Sequence, residues 1–342
     1  MKNRKKLMGM LATALVFGFT VTGCGAFTDT NKVSNYLALA RKVGRSESGP
    51  VPLAVKINME NNWGSLLSTI NGARVHVNLD LSRSTMTNTE FNLGDKGSEY
   101  IVSLVLPDAV TSITGDFNIF PRLASIRLPA SVDIGEVNPF TGCSLLTFKL
   151  KGRGDLSAIE KGRALVRGGR ELVSYPSASG SVTLNDITAI GRSAFYGTGL
   201  ESISLPSATT VGIRAFRGCE NLQTVNLPAV TVIGEGAFSG NKSLQTLNIP
   251  AVVTIGNNAA ANTGNLDLTI TVGQRIETIG SGMFSEVRGR KNVTVRVPQS
   301  EVENVTAMRD AFRGRGWNEG SFTLAAWVNN INGNINLTVE GY

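Results

Sequence analysis

ISLPSATTVGIRAFRGCENL (203–222) is followed by two near-copies of itself, VNLPAVTVIGEGAFSGNKSL (225–244) and LNIPAVVTIGNNAAANTGNL (247–266). The prolines of the three copies, Pro206, Pro228 and Pro250, stand 22 residues apart. A fixed period of this size indicates one supersecondary unit stacked on copies of itself. Such a stack buries a continuous core and leaves a long open face, which suits binding better than catalysis. The pattern therefore predicts a solenoid scaffold.

Each position of the repeat has a physical role. Val225 and Leu227 alternate inward from a short strand, whereas Asn226 between them points outward. Pro228 ends that strand because proline cannot donate a ladder hydrogen bond. Later in the turn, Phe238 fills the wide side of the coil. Stacked turns are then expected to place leucine on leucine and phenylalanine on phenylalanine along the solenoid axis.

The repeat resembles the BspA-like subclass of leucine-rich repeats, which occurs in bacterial surface proteins, those of treponemes included. The resemblance rests on L-P-x-x-V-T-x-I-G-x-x-A-F-x-G-C-x-x-L, and weaker copies extend it over residues 101–298. Its phenylalanine position holds Phe195, Phe216 and Phe238, and its corner position holds Gly191, Gly234 and Gly256. Ala260 replaces the phenylalanine in one turn, and Gly273 replaces the strand-ending proline in another. The resemblance implies an α/β solenoid: a right-handed, β-rich leucine-rich-repeat superhelix with terminal caps.

The N-terminus predicts export and lipidation. A basic start, MKNRKK, precedes an apolar run that is too short to span a bilayer, which is typical of a signal peptide. Val21-Thr22-Gly23-Cys24 then matches a lipobox, so we expect residues 1–23 to be removed and Cys24 to carry the acyl chains of a lipoprotein. The alternative is a plain secretory signal followed by a chance cysteine. Gly25 after the cysteine lacks the acidic inner-membrane retention signal, which favours the outer membrane.

The remaining markers divide the chain into four further parts. Residues 24–55 are predicted to be a polar tether, and residues 56–100, with a helix and a strand, an N-terminal cap. The solenoid follows over residues 101–298, interrupted near 164–175 by a hairpin with glycines at its turn. Residues 299–342 are expected to form a C-terminal cap, the alternative being a separate small module.

Charge and cysteine content limit the functions. The formal charge is +7, but the signal peptide contributes four of these charges, and a weak excess of +3 argues against nucleic-acid binding. Cys143 and Cys219 occupy one repeat position in separate turns and have no C-x-x-C spacing. We therefore expect two buried, unreactive thiols and no metal site.

Residues for catalysis are scarce. His76 is the single histidine and falls on the outward side of a predicted strand, as expected of a solvated residue. No hydrolase, zinc-protease or nucleotide-binding glycine motif occurs. The sequence therefore predicts no enzyme activity, no catalytic residue, no small-molecule substrate and no cofactor beyond the covalent lipid at Cys24.

Two features are candidates for binding. The first is an outward row of polar residues on successive strands: Ser204, Asn226, Asn248, Thr271 and Arg296. This row could hold a protein segment or a glycan, although small polar residues also suit any solvated sheet face. The second is Arg153-Gly154-Asp155 in a predicted loop, a tripeptide that integrins read, but one that also arises by chance.

Together these observations predict a lipoprotein of the outer membrane and cell surface. Its expected role is attachment, as a scaffold or adhesin that binds a protein of the host matrix, a host cell or another bacterium. The alternative is a structural envelope lipoprotein that faces the periplasm and does not contact the host. Fold alone cannot identify the partner of a repeat protein.

Overall fold

A computed structural model describes residues 26–42, 49–264, 268–273, 278–280, 292–297 and 336–341. The predicted signal peptide, Cys24 and residues 299–335 of the expected C-terminal cap lie outside the described residues. Within the described part of the chain, no helix combines the length and the apolar character that crossing a membrane requires.

The first half of the fold contains two helices and a run of short strands, which we call the N-terminal block (residues 26–42 and 49–151). The helices are α1 (Thr30–Lys42) and α2 (Met59–Ala73). The strands are β1 (Val51–Ala54), β2 (Val77–Asp80), β3 (Glu90–Asn92), β4 (Ile101–Val105), β5 (Ser112–Thr114), β6 (Ser125–Pro129) and β7 (Thr147–Lys151). Parallel pairing in the order β1-β2-β4-β6-β7 forms one sheet, and β3 pairs with β5 in a second.

Three connecting strands precede the regular repeats: β8 (Leu156–Ile159), β9 (Ala164–Arg167) and β10 (Glu171–Ser174). The C-terminal block contains β11 (Ser179–Thr183), β12 (Ala189–Ile190), β13 (Gly199–Ser204), β14 (Thr210–Val211), β15 (Thr224–Asn226), β16 (Val232–Ile233), β17 (Thr246–Ile249), β18 (Thr254–Ile255), β19 (Leu268–Val272), β20 (Thr278–Ile279), β21 (Asn292–Val297) and β22 (Asn336–Gly341). Alternate strands build two ladders, β11-β13-β15-β17-β19-β21-β22 and β8-β9-β10-β12-β14-β16-β18-β20. The chain thus folds as a leucine-rich-repeat β-solenoid of about 10 turns.

The structure corrects the expectation of a polar tether over residues 24–55. Helix α1 packs against α2, and β1 joins the first sheet as the parallel neighbour of β2. Val33, Leu37 and Ala40 of α1 are buried. Their i, i+4, i+7 spacing gives the helix an apolar stripe, which the polar composition of the segment conceals. The folded unit therefore begins well before residue 56.

The segment near 164–175 forms an antiparallel hairpin, with Gly168 (φ 55°) and Gly169 (φ 70°) at its turn. Strand β10 then pairs in parallel with β12, so the hairpin joins the long ladder. Its side chains are buried on both faces. Leu165 packs into the core of the N-terminal block, whereas Val166 packs into the core of the C-terminal block. The hairpin thus lies between the two hydrophobic cores and contributes side chains to both.

A stack of aromatic rings fills the centre of the C-terminal block, as the repeat predicted. The rings of Phe195 and Phe216 are 4.9 Å apart and those of Phe216 and Phe238 are 5.3 Å apart, in both cases nearly parallel. The next turn carries Ala260 at this position, also fully buried. The small residue before each ring, such as Ala215 or Ala237, is buried as well and allows the turns to approach.

Backbone contacts hold the turns together on the side of the rings. The amide groups of Arg214, Phe216 and Gly218 donate to carbonyl oxygens of the next turn at 2.8–2.9 Å. At the predicted corner, a Cβ added to Gly234 would lie 2.6 Å from the backbone nitrogen of Ile213. Glycine is needed there because of this close approach of neighbouring turns, rather than for an unusual φ angle.

Candidate binding surface

The C-terminal block presents a flat polar face on the ladder that runs from β11 to β22. From β13 to β21 successive strands pair without offset, and β11 pairs with β13 in constant register from Ser181 onward, so each outward residue lies beside its counterpart one turn away. The first row contains Ser181, Ser202, Thr224, Thr246, Thr269 and Thr294. The second contains the predicted residues Ser204, Asn226, Asn248, Thr271 and Arg296. We call these two rows the polar face.

Hydrogen bonds between neighbouring turns order part of the polar face. The amide of Asn248 donates to Oδ1 of Asn226 at 2.6 Å, and the amide of Asn226 donates to the hydroxyl of Ser204 at 3.1 Å. In the first row, the Ser202 hydroxyl donates to that of Ser181 at 2.8 Å. The second-row side chains are half-buried by their neighbours. A partner would therefore meet donors and acceptors that are already held in place.

The N-terminal block continues the same kind of face with different chemistry. Its second row begins with Asp80 and Val105 and continues with Arg127 and Lys149, which are register partners on β6 and β7. The ladder ends at β7, and the next ladder begins at β11, because the hairpin lies between them. The polar face therefore does not extend to Arg127 and Lys149, which belong to a different sheet.

The Arg153-Gly154-Asp155 sequence is exposed, immediately after β7. Its backbone is held on two sides: Leu156 donates to the carbonyl of Ala130 at 3.0 Å, and the Asp155 carbonyl accepts from Gly168 at 2.9 Å. A Cβ at Gly154 would collide with the backbone of Ala130. The glycine therefore serves the packing of neighbouring turns, and the tripeptide lies flat against the solenoid instead of projecting from it.

The two cysteines are buried and free, as predicted. Burial raises the pKa of the Cys143 thiol to about 12, and the nearby Asp116 carboxylate adds to this effect. Burial also raises the pKa of Cys219, whose thiol donates to the carbonyl of Phe195 at 3.0 Å. Both groups are thus protonated at neutral pH and are poor nucleophiles.

Sequence reasoning missed a shallow pocket of about 450 Å³ in the N-terminal block. Asn71, Arg74, Glu99 and Tyr100 are among the residues that line it. His76 is half-buried rather than fully solvated, with its ring 5.5 Å from that of Tyr100. No group of three histidine, cysteine or acidic side chains that could hold a metal occurs among the described residues.

Comparisons with known proteins agree with the repeat pattern. The family model "BspA type Leucine rich repeat region" matches residues 181–308 in six copies. No curated protein matches the chain.

Three solved structures are similar to the chain. The pneumococcal vaccine antigen PcpA is 15% identical, with 78% of this chain and 80% of that one covered and a TM-score of 0.41. A leucine rich cell surface protein of Faecalibacterium prausnitzii is 17% identical, with coverage of 85% and 71% and a TM-score of 0.42. The leucine-rich-repeat protein TpLRR of T. pallidum is 23% identical, with coverage of 41% and 67% and a TM-score of 0.31. Residues 181–308 of this β-solenoid are therefore similar to a BspA-type leucine-rich-repeat region.

Proposed function

We propose that this chain is a binding scaffold that a lipid on Cys24 holds at the surface of a bacterial outer membrane, where it attaches the cell to a protein partner. The polar face of the C-terminal block is the observation that carries this proposal. Its first row of hydroxyl groups repeats in register over five successive strand pairs, and its second row, of hydroxyl and amide groups that end at Arg296, over four.

The polar face suits a protein partner for physical reasons. Its groups repeat about every 4.8 Å along the axis, the spacing of neighbouring strands. Because the ladder and the hydrogen bonds between turns fix the side chains, binding would require little further ordering of the scaffold. Most of the face is uncharged, so removing water from it costs less than burying ions.

A role in attachment also explains the arrangement of the rest of the molecule. Most hydrophobic side chains of the described residues lie in the two cores, and the thiols of Cys143 and Cys219 are buried. The polar face leaves short polar groups accessible on a regular ladder, which is typical of repeat proteins that bind along an extended face.

Adhesion of intact cells tests this proposal. Cells that produce the full chain would be applied to wells coated with laminin, fibronectin, collagen or a second bacterial strain. The double variant Asn226→Ala/Asn248→Ala should lose most of the adhesion, whereas the control Gln223→Ala/Gln245→Ala changes exposed residues just before the same strands and should retain it. Equal adhesion of both variants and the unmodified chain would refute the role of the polar face.

The site of attachment to the cell is tested separately. Cys24→Ala should release the protein from the membrane fraction. Protease added to intact cells should digest the chain while a periplasmic marker remains protected. Protection of the chain until the envelope is permeabilised would instead support a structural role inside the envelope.

A further inference from the structure

The basic side chains are unevenly distributed along the chain. Residues 122–163 contain seven lysines and arginines but only four aspartates and glutamates, a net charge of +3. Residues 24–342 as a whole carry the same net +3, because the other four positive charges belong to the signal peptide. One short segment thus supplies the whole cationic excess, and the rest of the mature chain is neutral overall.

The sheet of the N-terminal block gathers several of these cations on one surface. Arg127 on β6 and Lys149 on β7 are register partners, so their backbones lie about 4.8 Å apart. Lys151 lies two residues further along β7, on the same face, because alternate residues of a strand share a face. Arg153 follows in the exposed stretch after β7. We call these four residues the basic strip.

Acidic side chains neutralise the basic strip only in part. Asp108 pairs with Lys151 at 2.6 Å, and both groups are about half exposed. Asp155 stands two residues from Arg153. Asp133 lies beside β5, in the other sheet of the block. The acidic groups therefore concentrate at the far end of the strip, or outside it.

Arg127 and Lys149 have no ion-pair partner among the residues that the structure describes. The hydroxyl groups of Ser103 and Ser125 lie beside them on the same sheet, and that of Thr147, next in the row, donates to the carbonyl of Ala124 at 2.9 Å. A single exposed ion pair contributes little affinity, so this surface suits a chain that offers several anionic groups at once. The two serine hydroxyls can donate to the oxygens of sulfate groups that the neighbouring cations bind.

We propose that the basic strip binds a sulfated polysaccharide. The strip spreads its charges over two neighbouring strands and the exposed stretch after β7, whereas a small anion would need donors that converge on one point. Nucleic acid fits less well, because the outward neighbours on β4 and β6 are serine and valine and offer no aromatic ring for base stacking. The strip belongs to the N-terminal block, so this proposal stands independently of the polar face.

Binding of the detergent-solubilised full chain to immobilised heparin tests the proposal. Near physiological salt, we expect Arg127→Gln/Lys149→Gln to lower the affinity about tenfold or more, and Arg127→Lys/Lys149→Arg to retain it. Arg217→Gln/Lys242→Gln removes the same charge from exposed positions of the C-terminal block and should change the affinity less than twofold. The affinity should also fall with rising salt, as expected when a polyanion releases counterions.

Three results would overturn the proposal. The first is absence of heparin binding by the unmodified chain, and the second is an equal loss in both glutamine double variants. The third is double-stranded DNA, or heparin stripped of its sulfates, binding as tightly as heparin itself. Thermal unfolding of each variant shows that the fold is retained, so a loss of binding cannot be mistaken for unfolding.

Discussion

The two blocks build the same kind of parallel ladder from sequences of different regularity. In the C-terminal block, one register shift follows Gly180, but the strands from β13 to β21 pair without offset, and the rings of Phe195, Phe216 and Phe238 are stacked within 9° of parallel. In the N-terminal block, the register shifts after Val77, and Trp63 meets Phe91 edge to face. The strict repeat thus gives a stack that continues over three turns, whereas the varied one stacks Phe117 on Phe140, at an interplanar angle of 18°, within a cluster whose other rings are tilted or edge-on.

Surface chemistry differs between the blocks as clearly as the cores do. The second outward row is uncharged from Ser204 to Thr271 in one block, but it carries Arg127 and Lys149 in the other. The buried positions specify the ladder, and the outward positions can change without disturbing it. One scaffold can therefore present two different binding surfaces, with the hairpin marking the boundary between them.

The largest difference between the blocks should appear on truncating a stacked ring. Phe216→Ala removes the central ring of the stack, which is fully buried. We expect a loss of about 3–5 kcal/mol in the free energy of unfolding, as for other buried phenylalanines. Denaturant unfolding measures this loss. Tyr196→Ala is the control, because Tyr196 is 39% exposed. This substitution should lower the free energy of unfolding by less than about 0.5 kcal/mol. Equal effects of the two substitutions would contradict the assignment of the stack to the core.

A corner glycine should come next in effect. In Gly234→Ala the new methyl group would lie 2.6 Å from the nitrogen of Ile213 and 2.7 Å from the carbonyl carbon of Gly212. Both are backbone atoms, so neighbouring turns must separate, at a cost of about 1–3 kcal/mol. Thermal unfolding measures the change. An unchanged melting temperature would show that the regular spacing of turns does not depend on this contact.

Smaller changes in stability are expected two residues after the corner glycine, where the backbone has a left-handed conformation. Gly236 has φ 59° and Arg214, its counterpart in the preceding turn, has φ 56°. Gly236→Ala should cost about 1 kcal/mol, because a Cβ is unfavourable in this conformation. Arg214→Gly relieves the same strain and should raise stability by about 0.5 kcal/mol. Urea unfolding of both variants compares them, and a loss of stability in both would contradict this account.

The smallest effect at neutral pH concerns Cys143. Burial raises the pKa of this thiol from its ordinary value of 9.0 to about 12, so the folded state favours the protonated thiol. This contribution to stability is complete below pH 9 and is lost as the pH rises from 9 towards 12. Cys143→Ala removes this group. Between pH 9 and pH 12 its free energy of unfolding should therefore fall less, relative to its own value at pH 7, than that of the unmodified chain. If the free energy of unfolding fell equally with pH in both proteins, the raised pKa of Cys143 would be refuted.

Sequence reasoning succeeded where the repeat is strict. The step of 22 residues predicted which side chains enter the core, and it predicted the single row from Ser204 to Arg296 that the strand register now aligns. Burial of Cys143 and Cys219 followed from the same periodicity. These features depend only on which positions point inward.

Features that depend on contacts between distant segments could not be predicted. Helix α1 is polar overall, and only its position against α2 shows that three apolar residues suffice to bury one side. The position of Gly154 on Ala130 and the concentration of charge around Arg127 likewise arise from stacking of neighbouring turns. The net charge of the chain did not predict the basic strip, because it does not show where along the fold the charged side chains come together.

Labelling of a single introduced thiol on living cells tests the central claim most directly. Thr224→Cys places an exposed thiol on the polar face, while Cys143 and Cys219 are buried and Cys24 is expected to be acylated. A membrane-impermeant maleimide should label this variant on intact cells, leave the unmodified chain unlabelled and weaken adhesion to the partner. Labelling that requires permeabilised cells would contradict surface display, and labelling without any effect on adhesion would contradict binding through the polar face.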